Sequence, residues 1–270
     1  FVGAMHAQMG KLDVERLVAM SREAIRGPGV CSGMGTANSM HIVCEALGMS
    51  LPGAAPVLAN SERMFALAEE SGRRIVEMVW ENLRPRDILT ADAFANAAMA
   101  VLAVSGSINC IKHLQATAIE ARCDVDIYDL FDRYGKTIPV LSAVRPIGET
   151  SIEAFERAGG AAAVLKRLEG YLKRDAMTVS GRTQRENLQA ATISDHDVIR
   201  PLDRPLSDKA AIVVMHGSLA PGGAIIKLGL RTGKTLRFTG RARVFDTSDD
   251  AVAAVRAGTI QKGDAVIVRG

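Results

Sequence analysis

Aromatic side chains are scarce: seven Phe, three Tyr and one Trp make up 4% of the 270 residues. That leaves no platform on which single-stranded bases could stack. No excess of charge of one sign takes their place. The 33 basic and 30 acidic residues leave a formal net charge of +3 and are interspersed, with no basic block, which argues against nucleic acid or an anionic membrane as partner. No apolar run approaches the roughly 20 residues needed to cross a bilayer. The start, Phe1-Val-Gly-Ala-Met5, carries neither the cationic segment nor the apolar stretch of a secretory signal. Cysteine is sparse too. Cys31, Cys44, Cys110 and Cys123 form no C-x-x-C pair, which excludes a zinc ribbon and a thioredoxin-type redox site. Without a secretory signal, these are expected to be reduced thiols in a cytoplasmic protein.

What is present is ordinary globular composition, 48% hydrophobic and 23% charged, long enough for one large domain or two smaller ones. There is no initiator Met, and Asp264-Ala-Val-Ile-Val-Arg-Gly270 reads as a strand that stops. The expectation is an internal fragment of a longer chain. Apolar periodicity, caps and glycine stops predict helices over 12–26, 36–47, 61–80 with Ser61 as N-cap, 90–104 with Thr90 or Asp92 as cap, 110–121, 152–158 and 161–172. Thr137 to Val144 reads as a short buried strand. After about Arg200 the texture changes: prolines and glycines punctuate short β-rich runs at 211–215, 224–227, 235–238, 242–245 and 265–268, with one helix over 249–257. The fold class expected is α/β. A helix-rich α/β domain over 1–200 precedes a β-rich, barrel-like or sandwich-like domain over 201–270, both truncated, joined by the charged stretch Ser194 to Ser207.

The strongest local feature is Gly27-Pro-Gly-Val-Cys-Ser-Gly-Met-Gly-Thr-Ala-Asn-Ser-Met40, a glycine loop that opens a helix. Backbone N–H groups at a helix N-terminus stabilise negative charge, so a cysteine there is favoured as thiolate, the form that ligates iron–sulfur clusters or acts as a nucleophile. The alternative is a cysteine packed in a tight turn. Cys44, Cys110 and Cys123 lie in apolar or helical stretches and read as small buried hydrophobes. Gly33-x-Gly35 is no dinucleotide fingerprint, because no strand precedes it and no third glycine follows at the right spacing.

The Cys31 loop with its Gly-Met-x-Thr-Ala-Asn-Ser-Met continuation resembles the cysteine loop of the dihydroxy-acid and phosphogluconate dehydratase family. Further segments are similar in the same order: Glu45 to Gly53, Gly72 to Val76, Asp87 to Thr90, Ala93 to Asn96, Gly106 to Asn109 with His113, Ala158 to Gly160, Thr178 to Thr183 with Glu186 and Asn187, Gly217 to Ala224, and Ala242 to Asp246. The resemblance spans essentially the whole chain.

It implies a hydro-lyase that dehydrates a 2,3-dihydroxy acid to a 2-keto-3-deoxy acid. The implied cofactors are an iron–sulfur cluster, [2Fe-2S] or [4Fe-4S], and Mg²⁺; the implied assembly is a homodimer or homotetramer. Cys31 corresponds to the third cluster cysteine. By the same resemblance, the first two cluster cysteines and a Cys-Asp-Lys segment serving Mg²⁺ belong upstream of Phe1. A further glutamate ligand and the serine base belong beyond Gly270, so this stretch alone is expected to be inactive. Thr36, Ser107, Asn109 and His113 are candidates to line the site, with a core histidine as the other reading of His113. Ile108 and Ser105 depart from the family pattern of threonine and glycine. His216 to Gly223 reads as a domain-interface turn or as plain backbone punctuation. Arg182 and Arg241 either steer an acidic substrate or are solvated surface. Met34 to Thr36 and Arg73 to Met78 look more like the branch acting on aldonic sugar acids, the expectation carried forward. Ala37 to Met40 looks more like the branch acting on the branched dihydroxy acid of valine and isoleucine synthesis. From another class, the chain could be a non-catalytic fragment that only folds or associates.

Overall fold

The computed structural model describes residues 2–24, 27–230 and 237–269. It divides into two compact units, Phe1–Leu230 and Arg231–Gly270.

The first unit is mainly helical. Its helices are α1 (Val2–Gln8), α2 (Val14–Ala24), α3 (Thr36–Ala46), α4 (Glu62–Glu81), α5 (Pro85–Ile88), α6 (Ala91–Ala103), α7 (Asn109–Ala121), α8 (Ile127–Gly135), α9 (Ile152–Arg157), α10 (Gly160–Arg167) and α11 (Gln184–Gln189). Two strands follow, β1 (Ile212–Met215) and β2 (Ala224–Lys227).

Helix α6 is the axis of this unit. Every residue from Ala93 to Ala103 is buried. A helix that is apolar all round must be enclosed, and its many alanines let neighbours approach closely. Helices α3, α7, α8 and α10 pack around it. Its one buried polar side chain, Asn96, is satisfied twice: Nδ2 donates to the Lys173 carbonyl at 3.0 Å, and Oδ1 accepts from the Lys173 N–H at 2.8 Å. Strand β1 packs on α8 and turns Ile212 and Val214 into the same core. It pairs antiparallel with β2, Ile212 opposite Lys227 and Met215 opposite Ala224.

The second unit is one β–α–β turn: β3 (Arg241–Phe245), α12 (Ser248–Arg256) and β4 (Asp264–Val268). The strands are parallel, Arg241 opposite Asp264 and Phe245 opposite Val268, as a helical crossover requires.

Predicted caps hold at α4 and α6. Ser61 Oγ accepts from the Met64 N–H at 3.1 Å, and Thr90 Oγ1 from the Ala93 N–H at 3.4 Å. Several expectations need correction. The stretch 137–144 is buried from Ile138 onward, but it is not a strand. Its backbone bonds go to scattered single partners, Val140 N–H to Ser207 and both Leu141 and Ser142 N–H to Ala103, so no ladder forms. Up to Arg200, then, helices do not alternate with strands among the described residues. The helix expected over 161–172 ends at Arg167. Of the helix expected over 12–26, residues 25 and 26 lie outside the described residues; so do 235 and 236 of the strand expected over 235–238, and 237 and 238 are not in a strand. The protein is of mixed helix and strand, but its strands form two separate two-stranded sheets and no closed barrel among the described residues.

Candidate functional site

The glycine loop lies against the segment that follows Val144. The Met34 N–H donates to the Arg145 carbonyl at 2.7 Å, and a side chain on Gly33 would bring its Cβ to 3.1 Å from that oxygen, a tighter contact than most side chains make. From below, the buried Asn38 holds the loop, its Nδ2 donating to the carbonyls of Cys31 and Gly33, both at 2.8 Å. Cys31 itself is exposed. Among the described residues the one polar contact of its Sγ is the Gly33 carbonyl at 3.9 Å, the outer limit for a thiol. A Cβ built on Gly35, the N-cap of α3, would lie 4.0 Å from that sulfur. The thiol therefore stands beside the N-terminus of α3.

Three of the expected site residues come together a turn further on. Thr36 Oγ1 lies 3.0 Å from Ser107 Oγ, and Asn109 Nδ2 donates to Thr36 Oγ1 at 2.9 Å. They are brought 71 residues and more across the sequence by the packing of α3 on α7. Below them the buried Ser39 Oγ accepts from the Ser107 N–H at 2.9 Å. Half-buried Lys227, at the end of β2, donates from Nζ to the carbonyls of Ser105 (2.7 Å) and Gly106 (2.6 Å). Loss of water holds the Lys227 ammonium below the usual lysine range.

The fourth candidate, His113, is not part of this cluster. It is exposed on α7, and the bond seen there is to its carbonyl, from Thr117 Oγ1. The core-histidine reading fails as well, because the side chain is at the surface. Cys44, Cys110 and Cys123 do not join Cys31. Burial raises all three thiols, Cys110 to about 12, which suits packing rather than ligation. No group of three His, Cys, Asp or Glu side chains that could hold a metal occurs among the described residues. Cys31 fits an iron–sulfur cluster as a single soft ligand.

Sequence reasoning passed over three residues. Asn38 and Ser39 sit inside the recognised motif but were not singled out. Lys227 ends an apolar strand 121 residues from the turn it binds, and nothing local marks it. Glu45 is another buried polar group, near the far end of α3. Its carboxylate accepts from the N–H groups of Gly53 (2.8 Å) and Ala55 (2.9 Å). A separate cleft of about 630 Å³ is lined by Arg63, Glu153, Glu156 and Arg157, with none of the Cys31 cluster. Of these, Arg63 and Glu156 form an ion pair at 3.3 Å.

The described residues thus offer one exposed thiol on a glycine loop and, a turn further on, a hydrogen-bonded trio of two hydroxyls and an amide. The comparisons agree in family. The N-terminal model of the dihydroxy-acid/6-phosphogluconate dehydratases matches residues 1–187, and their C-terminal model residues 197–270. The chain belongs to that family. It is 40% identical over 273 residues to a dihydroxy-acid dehydratase of Oleidesulfovibrio alaskensis, covering 100% of this chain and 49% of the relative. It is 40% identical over 268 residues to one of Methanothermobacter thermautotrophicus (99% and 48%), and 42% identical over 273 residues to one of Caldanaerobacter subterraneus subsp. tengcongensis (99% and 48%). The chain spans about half the length of these curated relatives. No helix among the described residues is long and apolar enough to cross a membrane.

Proposed function

We propose that the protein to which this chain contributes is a hydro-lyase that dehydrates a 2,3-dihydroxy acid to a 2-keto-3-deoxy acid. The observation that carries the reading is the exposed Cys31 thiol, held in its glycine loop by Asn38 and set beside the N-terminus of α3. Cys31 would be one ligand of an iron–sulfur cluster, [2Fe-2S] or [4Fe-4S], which would supply a Lewis-acidic iron for the departing hydroxyl. The rest of the work assigned to this chain is positioning. Asn38 fixes the loop that carries the thiol by holding the carbonyls of Cys31 and Gly33. Thr36, Ser107 and Asn109 present two hydroxyls and an amide that can bind substrate hydroxyls. Family membership supports the reaction class. Mg²⁺ belongs to the same reading, but the described residues build no site for it.

Among 2,3-dihydroxy acids, the residue pattern at Met34 to Thr36 and Arg73 to Met78 favours an aldonic sugar acid. The branched dihydroxy acid of valine and isoleucine synthesis is the second reading, supported by the relatives, which are named dihydroxy-acid dehydratases. The remaining readings are a domain boundary near Arg200, a barrel-like second domain, a homodimer or homotetramer, and a cytoplasmic location. The family models support the first, since they part between 187 and 197.

The test is turnover of the full-length protein, loaded with its cluster, on an aldonic acid and on the branched dihydroxy acid, followed by keto-acid formation. Turnover of neither acid overturns the reaction; turnover of the branched acid alone overturns the sugar-acid preference.

A further inference from the structure

The Gly106–Ser107 peptide unit is gripped at both ends. Its carbonyl oxygen accepts from Lys227 Nζ at 2.6 Å, and its N–H donates to Ser39 Oγ at 2.9 Å. The same ammonium takes the preceding carbonyl, that of Ser105, at 2.7 Å. Ser105 sits at φ +47°, in the left-handed region that a serine rarely occupies, directly after α6. Ser107 leaves this peptide towards Thr36. Its Oγ also accepts from the Asn109 N–H at 3.2 Å, which starts α7. A turn with an unfavourable backbone residue needs outside support to hold one geometry. A half-buried ammonium that meets no carboxylate among the described residues is a costly way to provide it. A neutral side chain would fill the space without that cost.

We propose that Lys227 is a positioning residue of the candidate site: its ammonium orients the Gly106–Ser107 peptide so that Ser107 is presented to Thr36 and to the substrate. This rests on the reading of the Thr36, Ser107 and Asn109 cluster as the substrate-facing part of the site. A lysine at this place ties the segment matched by the family's C-terminal model to the turn in the segment matched by its N-terminal model. Charged hydrogen bonds to carbonyls are stronger than neutral ones, which suits a role of holding direction rather than filling space.

The experiment uses the full-length, cluster-loaded protein with Lys227→Met and Lys227→Gln. Steady-state kinetics, cluster absorbance and amide hydrogen exchange over 104–112 are compared with the parent. Lys227→Met is expected to keep the cluster absorbance, to lower kcat about tenfold or more, and to leave KM within about twofold. Exchange over 104–112 should rise. Lys227→Gln, which can still donate to one carbonyl, should lose less. Wild-type kcat and exchange in both variants overturn the proposal. A fall in kcat with unchanged exchange overturns it as well, since Lys227 would then act without moving the turn. If the Met variant does not fold, the Gln variant decides by the same two measurements. Ser107→Ala and Cys31→Ser separate the two ideas. If both keep full activity, the reading of the cluster as the site fails, while the exchange data still decide whether Lys227 holds the turn.

Discussion

Asn38 holds Cys31 from beneath: its side-chain nitrogen donates to the Cys31 carbonyl at 2.8 Å, and the same nitrogen reaches Gly33 at 2.8 Å. Asn38 is itself buried in α3, so the loop that carries the thiol is anchored to the core rather than to solvent.

Replacing that donor should loosen the loop. Asn38→Leu keeps the branched shape but leaves two carbonyls to find other partners, at an expected cost of about 1–2 kcal/mol. Asn38→Asp should be worse, because a carboxylate faces the same two oxygens. Urea denaturation midpoints of the variants measure the loss. In the full-length protein, cluster retention after gel filtration should fall in the same order.

The four cysteines should behave differently. In the full-length protein Cys31→Ser is expected to remove or destabilise the cluster, since oxygen replaces thiolate poorly at iron. Ala substitutions at Cys44, Cys110 or Cys123 should leave the visible absorbance intact, with a packing cost of about 1 kcal/mol each. A normal cluster spectrum in the Cys31→Ser protein would show that this thiol is not a ligand.

Glu45 makes stability fall as pH rises. Burial lifts its carboxyl from 4.5 to about 7, outweighing the bonds from Gly53 and Ala55 and the charge of Arg63, which pull the other way. The folded state therefore binds a proton that the unfolded state has lost between those two values, so stability declines across pH 4.5 to 7. The full decline is on the order of 3 kcal/mol. Glu45→Gln cannot titrate and should flatten this part of the curve. Denaturation midpoints taken at half-unit pH steps would reveal it, and an unchanged slope in the Gln protein would assign the decline to other groups.

Asn96→Ala should destabilise the first unit. It removes both halves of the clamp on the Lys173 backbone and leaves a small void beside α6, at an expected cost of about 2–3 kcal/mol. Thermal or urea unfolding followed by far-UV circular dichroism measures it.

Local patterning was enough for the strongly periodic helices. Helix α6 announces itself through Thr90 and an apolar run from Ala93 to Val104 interrupted by Asn96 alone, and α4 through Ser61, because caps and the 3.6-residue period are properties of neighbours in the chain. Helix α8 was equally legible but was passed over. Ile127, Leu130, Phe131 and Tyr134 share one face, and Asp126 caps it, accepting from the Asp129 N–H at 3.1 Å. The segment 137–144 misled because burial and strand share the same signature, a short apolar run. Whether such a run joins a ladder depends on which distant carbonyls it meets, and here they are those of Ala103 and Ser207.

The same division runs through the site. The loop around Cys31 is a contiguous motif, so the glycines, the thiol and the helix start that frames it are written side by side. Joining Thr36 to Ser107 and Asn109 requires α3 to pack on α7, and only the shared burial of both helices against α6 brings that about. His113 shares α7 with Asn109 and is exposed, but among the described residues no hydrogen bond joins its ring to Thr36, Ser107 or Asn109. Lys227 is the opposite case. A lysine ending an apolar strand looks like a solvated edge, and only the docking of β1 and β2 on the helical core takes its ammonium out of water and sets it against two carbonyls. Chemistry that depends on residue type and short spacing is written along the chain, whereas the direction in which each group points is set by packing between segments far apart in it.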